Sequence, residues 1–70
     1  MSTWRATKAK RVLAALIRIG WRVERHAGSH KTLKRPFGPP YRFAFHDGDE
    51  LGPAILAKMA KDTGLRPEDL

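Results

Sequence analysis

The 70-residue chain contains no cysteine, which excludes a disulfide scaffold, a thiolate zinc site and a cysteine nucleophile. It also lacks a long hydrophobic run. The longest, Val12-Leu13-Ala14-Ala15-Leu16-Ile17, falls far short of the ~20 apolar residues that cross a bilayer. The first residues have neither the apolar centre nor the small-residue cleavage site of a secretory signal. Glycine-rich phosphate loops and nucleophile elbows are missing as well. Acid is scarce over most of the chain: residues 1–46 hold eleven Lys or Arg and a single acid, Glu24, whereas residues 47–70 hold three bases and six acids. These absences point to a cytoplasmic protein with no membrane segment.

What is present suffices for one small domain spanning residues 1–70. The hydrophobic fraction is 41% and the charged fraction 30%, apolar enough to build a core. The formal net charge of +7, concentrated in the first two thirds of the chain, is an electrostatic footprint for a polyanion such as RNA. The basic residues are spread over several elements and do not flank one apolar stripe, so a membrane surface fits less well.

Residues 1–6 read as a frayed start, with Trp4 as its one anchor. From about Thr7 the pattern turns helical. Ala9, Val12, Leu13, Leu16 and Ile17 recur at spacings of three and four and make one apolar stripe. Thr7 is the expected N-cap, and Gly20 the left-handed residue that ends the helix. Alternation follows. Trp21 to His26 reads as a strand, Ala27-Gly28-Ser29 as a tight turn, and His30 to Arg35 as a second strand. Pro36-Phe37-Gly38-Pro39-Pro40 cannot continue a ladder and is read as a stiff loop. Tyr41 to His46 is the third strand, and Asp47 to Glu50 a turn. A second helix is predicted from Pro53, a residue suited to the first helical position, to Gly64, with Ile55, Leu56, Met59 and Ala60 as its apolar stripe. Arg66 to Leu70 adds one loose turn.

The expected fold is therefore α+β: an α-β-β-β-α two-layer sandwich with a three-stranded antiparallel sheet and both helices on one face. This is the arrangement of double-stranded-RNA-binding domains. If Val23, Leu33, Phe43 and Phe45 point at the helices, period two sends Arg22, Glu24, His26, His30, Thr32, Lys34, Arg42, Ala44 and His46 outward. All three histidines then fall on one exposed, cationic face. Histidine suits proton transfer near neutral pH, and Lys31, Lys34, Arg35 and Arg42 could stabilise charge developing on a phosphate. That combination could cleave RNA through its 2′-hydroxyl. Exposed histidines at strand ends are commonplace, however, and spacing alone does not assign the role. Imidazole is also a metal ligand, but no ligand motif is present and a cationic face disfavours a metal ion. Two non-catalytic readings stand beside the enzyme: a double-stranded-RNA-binding module, and a subunit that only binds another protein.

The stretch Gly20-Trp21, Arg25, Gly28-Ser29-His30, followed by Gly48-Asp49-Glu50-Leu51, Leu56 and Gly64-Leu65, resembles the HicA (YcfA-like) toxins over nearly the whole chain. The resemblance implies the toxin of a type II toxin–antitoxin pair, an mRNA interferase with a double-stranded-RNA-binding-like fold and no metal or organic cofactor. It places the family's catalytic histidine at His30, in a turn shaped by Gly28 and Ser29. His46, His26, Lys31, Lys34 and Arg42 are candidate acid/base or phosphate partners. It also implies a HicB-like antitoxin that masks the histidine. The proline-rich loop at 36–40, and Phe45 where many members carry proline, depart from the family pattern.

Overall fold

The computed structural model describes residues 3–70. Its elements are β1 (Thr7–Lys8), α1 (Ala9–Arg18), β2 (Arg22–Ala27), β3 (His30–Lys34), β4 (Tyr41–Phe43), β5 (Glu50–Leu51), α2 (Pro53–Thr63) and a final 3-10 turn, Pro67–Asp69. β2, β3 and β4 form an antiparallel sheet in that order, and β1 pairs with β5 in a separate two-stranded ribbon. The α-β-β-β-α order and the α+β class are as the sequence implies. The β1–β5 ribbon is additional. Of the stretch read as frayed, Met1 and Ser2 lie outside the described residues, and 3–6 is irregular with Trp4 packed partly against the core.

The start of α1 corrects the sequence reading. Lys8, not Thr7, is the N-cap, and no side chain caps the helix. Thr7 is drawn into the ribbon opposite Leu51, and its hydroxyl donates to the Arg5 carbonyl. The unpaired N–H groups of the first helical turn are met from elsewhere: the Ala9 N–H donates to the Asp49 carbonyl at 2.7 Å and the Lys10 N–H to the Asp47 carbonyl at 3.2 Å. A distant turn does the work expected of a local threonine.

The end of α1 follows the sequence closely. Gly20 has φ +116°. Its N–H donates to the Ile17 carbonyl and that of Trp21 to the Leu16 carbonyl, the paired bonds of a Schellman ending. The chain reverses there and drives Trp21 into the core. α2 runs between its predicted limits, with Gly64 at φ +79° closing it through a bond to the Ala60 carbonyl.

One cluster unites Val12, Ala15 and Leu16 of α1, Leu56 and Met59 of α2, Leu33 and Phe43 of the sheet, and Trp21, Leu51 and Leu65 beside them. Both stripes are rotated relative to the sequence reading. Ile17 is 48% exposed and Ile55 43%, whereas Ala15 and Thr63 are buried. A small residue at the contact lets the α1 backbone approach its neighbours closely. Thr63 is tolerated in the core because its hydroxyl donates to the Met59 carbonyl and accepts from the Leu65 N–H.

Trp21 is the hub. Its indole N–H donates to the Thr63 carbonyl at 3.0 Å, Tyr41 meets it edge-on with ring centroids 6.3 Å apart, and the Arg35 guanidinium stacks 4.4 Å from the ring centroid. Arg35 also donates to the same Thr63 carbonyl at 3.1 Å. The entry to β2, the start of β4 and the end of α2 are thus tied at one point. Burial, with the Asp62 carboxylate nearby, raises the Tyr41 phenol above its ordinary pKa, so that hydroxyl stays protonated at physiological pH.

Candidate active site on the cationic sheet face

Residues opposed across an antiparallel pair share a face, so the register decides which side chains stand together. Leu33, buried, lies opposite Val23 and Tyr41, and Lys31 opposite the buried Phe43. These positions define the helix-side face. The other face of β3 carries His30, Thr32 and Lys34. Arg42 stands opposite Thr32, and Arg22 opposite Lys34.

Between Val23 and Arg25 the register of β2 slips by one residue. Beyond this bulge Arg25 lies opposite Thr32, and His26 opposite Lys31. The sequence expectation for the far half of β2 is therefore inverted. Arg25 joins His30 on the outer face, while His26 turns to the helix-side face and Glu24 occupies the bulge. The three histidines do not share one surface. Lys31 is also on the helix side, half-buried, and is not among the outer-face cations. Val23 keeps the expected side but remains 41% exposed at the open edge of the sheet.

The turn that presents His30 is a two-residue hairpin, Gly28-Ser29, with Ala27 and His30 as its closing pair. Gly28 has φ +62° and Ser29 does not share a positive φ, which fits a type II′ turn with glycine first. The His26 ring closes against this turn, its Nε2 donating to the Gly28 carbonyl at 2.7 Å. His26 thus braces the hairpin from behind. The His30 side chain is exposed and makes no hydrogen bond or ion pair with any described residue, so both ring nitrogens are available to a substrate.

His46 is placed differently from the sequence reading. β4 ends at Phe43, three residues early, and 44–46 leaves the sheet. Phe45 nevertheless packs edge-on against Phe43 with centroids 5.3 Å apart. His46 opens a tight turn in which its N–H donates to the Asp49 carboxylate at 2.9 Å and its carbonyl accepts from the Asp49 N–H at 2.9 Å. This is the turn whose carbonyls cap α1.

Arg35, a candidate phosphate group from sequence, is committed to Trp21 and Thr63 and belongs to the core. The outer-face cations are free by comparison. Among the described residues the ion pairs are those of Arg66 with Glu68 and Asp69, so Arg22, Arg25, Lys34 and Arg42 have no acidic partner. Four uncompensated cations on one short sheet face make a surface for phosphates, and His30 stands at one end of it. Arg25 is the residue that sequence reasoning missed. No apolar side chain between Val23 and Ala27 marks the phase of β2, so nothing in the pattern signals the slip.

No group of three or more His, Asp or Glu side chains gathers as a metal site among the described residues, and none of their helices is long and apolar enough to cross a membrane. No curated protein and no solved structure matches the chain. The family model described as the HicA toxin of bacterial toxin–antitoxin systems matches residues 9–65, from the first residue of α1 to the core leucine that follows α2. The match takes in the bulged strand, the Gly-Ser-His hairpin and the glycine that closes α2, and on that basis the chain belongs to the HicA toxin family, the toxins of toxin–antitoxin pairs.

Proposed function

We propose that this toxin is a metal-independent endoribonuclease, an mRNA interferase, in which His30 acts as general acid or base. One observation carries the reading: an exposed imidazole free of internal bonds, on a sheet face that also carries Arg22, Arg25, Lys34 and Arg42, four cations without an ion-pair partner among the described residues. In the reaction, the 2′-oxygen of a ribose attacks the adjacent phosphorus while the 5′-oxygen of the next nucleotide leaves. One group takes the 2′-hydroxyl proton and one supplies a proton to the 5′-oxygen. The products are a 2′,3′-cyclic phosphate and a 5′-hydroxyl. Histidine serves either step near neutral pH. Arg25 and Arg42, flanking Thr32 beside His30, are placed to stabilise charge building on the phosphoryl oxygens, with Lys34 and Arg22 holding the strand further along. His46 remains a candidate for the second proton-transfer role, whereas the bulge removes His26 to the other face.

Membership of the family implies an antitoxin partner. In this reading it is a HicB-like protein that covers the His30 face in the cytoplasm and offers acidic side chains to it, because complementary charge steers association.

Purified toxin incubated with mRNA in excess EDTA tests the proposal. The expected result is cleavage at the rate seen without chelator, leaving 5′-hydroxyl and 2′,3′-cyclic phosphate ends. Intact RNA after long incubation, held in a salt-sensitive complex, would instead favour a double-stranded-RNA-binding module.

A further inference from the structure

The chain has six aromatic residues. Trp21 and Phe43 are buried, and Trp4, Tyr41 and Phe45 pack against the core. Phe37 alone stands clear of it, 83% exposed, the most open large apolar side chain among the described residues. A single exposed apolar residue on a loose loop would carry no meaning. This loop is not loose.

Pro36, Pro39 and Pro40 fix three of the backbone angles around it, and Gly38 supplies a turn at φ +84°. The Phe37 carbonyl accepts from the Arg35 Nε at 3.1 Å. That guanidinium is itself held by the Trp21 ring and the Thr63 carbonyl. The backbone under Phe37 is therefore clamped to the core while its ring is held out in water. The ordering cost of the backbone is thereby met in part before any ligand arrives, which favours a preorganised contact.

Position gives the ring a purpose. The loop leaves β3 directly after Lys34 and returns to the sheet just before Arg42. His30 and Lys34 mark the two ends of β3 on the outer face, about 13 Å apart at the rise of an extended strand. A nucleic-acid strand whose phosphates follow Arg25, Arg42, Lys34 and Arg22 away from His30 runs toward the proline-rich loop. Aromatic rings beside a cationic track are the recurring platform for unstacked bases, and only single-stranded RNA offers a base face there.

We propose that Phe37 is a base-stacking platform at the end of the cationic sheet face: the toxin grips single-stranded RNA by phosphate contacts on the outer face and by one nucleobase stacked on Phe37. This rests on the reading of the outer face as an RNA site. The neighbouring cations favour a polyanion over an apolar protein groove as the occupant.

The test titrates toxin with a single-stranded oligoribonucleotide of about eight nucleotides, within the site size of single-strand binders, made uncleavable by 2′-O-methyl groups. Phe37→Ala is expected to weaken binding about tenfold with an unchanged melting temperature, and Phe37→Trp to restore it. Because the probe cannot be cut, the readout is independent of catalysis. Equal binding by parent and Phe37→Ala would overturn the stacking role and leave the RNA site standing. Failure of the parent to bind would overturn both. Weakened antitoxin binding by Phe37→Ala, with RNA affinity unchanged, would assign the ring to the protein partner and refute the proposal.

Discussion

Replacing His30 with alanine is expected to slow RNA cleavage by about 10²–10⁴-fold, the usual contribution of a positioned general acid or base. The side chain is exposed and bonded to nothing within the described chain, so the substitution removes chemistry without removing packing. β3 retains its pairs with β2 and β4 through Leu33, Thr32 and Lys31, and the hairpin remains braced by His26. Thermal unfolding and affinity for an uncleavable RNA should therefore match the parent. Induction of the variant in cells should no longer arrest growth. A folded His30→Ala protein that cuts RNA as fast as the parent would remove this residue from the reaction.

The largest effect on stability is expected at Trp21. Truncation of a buried large aromatic to alanine costs about 3–5 kcal/mol in transfer energy and residual cavity. A 70-residue domain has in total roughly 4–10 kcal/mol to lose. Trp21→Ala also strips Arg35 of its stacking partner and removes one of the two donors to the Thr63 carbonyl. The side-chain hydrogen bond to the end of α2 at the Thr63 carbonyl is then left to Arg35 alone. Urea unfolding followed by far-UV circular dichroism should show a midpoint near zero denaturant, or no cooperative transition. Added antitoxin should recover part of the lost structure, since a partner that binds the folded form stabilises it by mass action. A loss below 1 kcal/mol would mean that the knot at Trp21 is not what holds the two layers together.

The parts of the fold that sequence specifies well are those with a local chemical signal. Gly20 before Trp21, Pro53 at the head of α2 and Gly64 at its end each satisfy a need of a helix terminus, and each stands where expected. The Gly28-Ser29 turn and the side of β3 that carries His30 follow from the same kind of signal, because Leu33 fixes the phase of that strand. Non-local partners were not legible. Thr7 looks like a cap only until β5 is found opposite it, and the carbonyls that cap α1 lie some forty residues away. Ala15 and Thr63 are small or polar, and only their neighbours make them core.

In the candidate site, the face of His30 was legible and the placement of its neighbours was not, for related reasons. β2 carries no apolar residue between Val23 and Ala27, so a one-residue slip costs no burial and leaves no trace in the pattern. That slip exchanged His26 for Arg25 on the outer face. It also gave His26 a different task, holding the turn that carries His30. Likewise Tyr41 to His46 alternates as a strand should, yet Phe45 reaches the core from outside the sheet by packing on Phe43. Its ring is satisfied without the ladder, and His46 is released into the turn that caps α1. Arg35 could be read as a phosphate ligand because nothing in sequence announces that a tryptophan fourteen positions earlier will lie beneath it.

The central claim is that the toxin breaks RNA by using the substrate's own ribose, with His30 moving a proton in that transfer. It is tested most directly on an RNA oligonucleotide carrying one 2′-deoxy sugar at the nucleotide whose 3′-phosphate is cut. Single-turnover cleavage by the parent toxin should vanish at that linkage and persist at the same linkage in the all-ribose strand. Cleavage of the deoxy-substituted linkage at the unmodified rate would show that another nucleophile attacks the phosphorus, and would contradict the account.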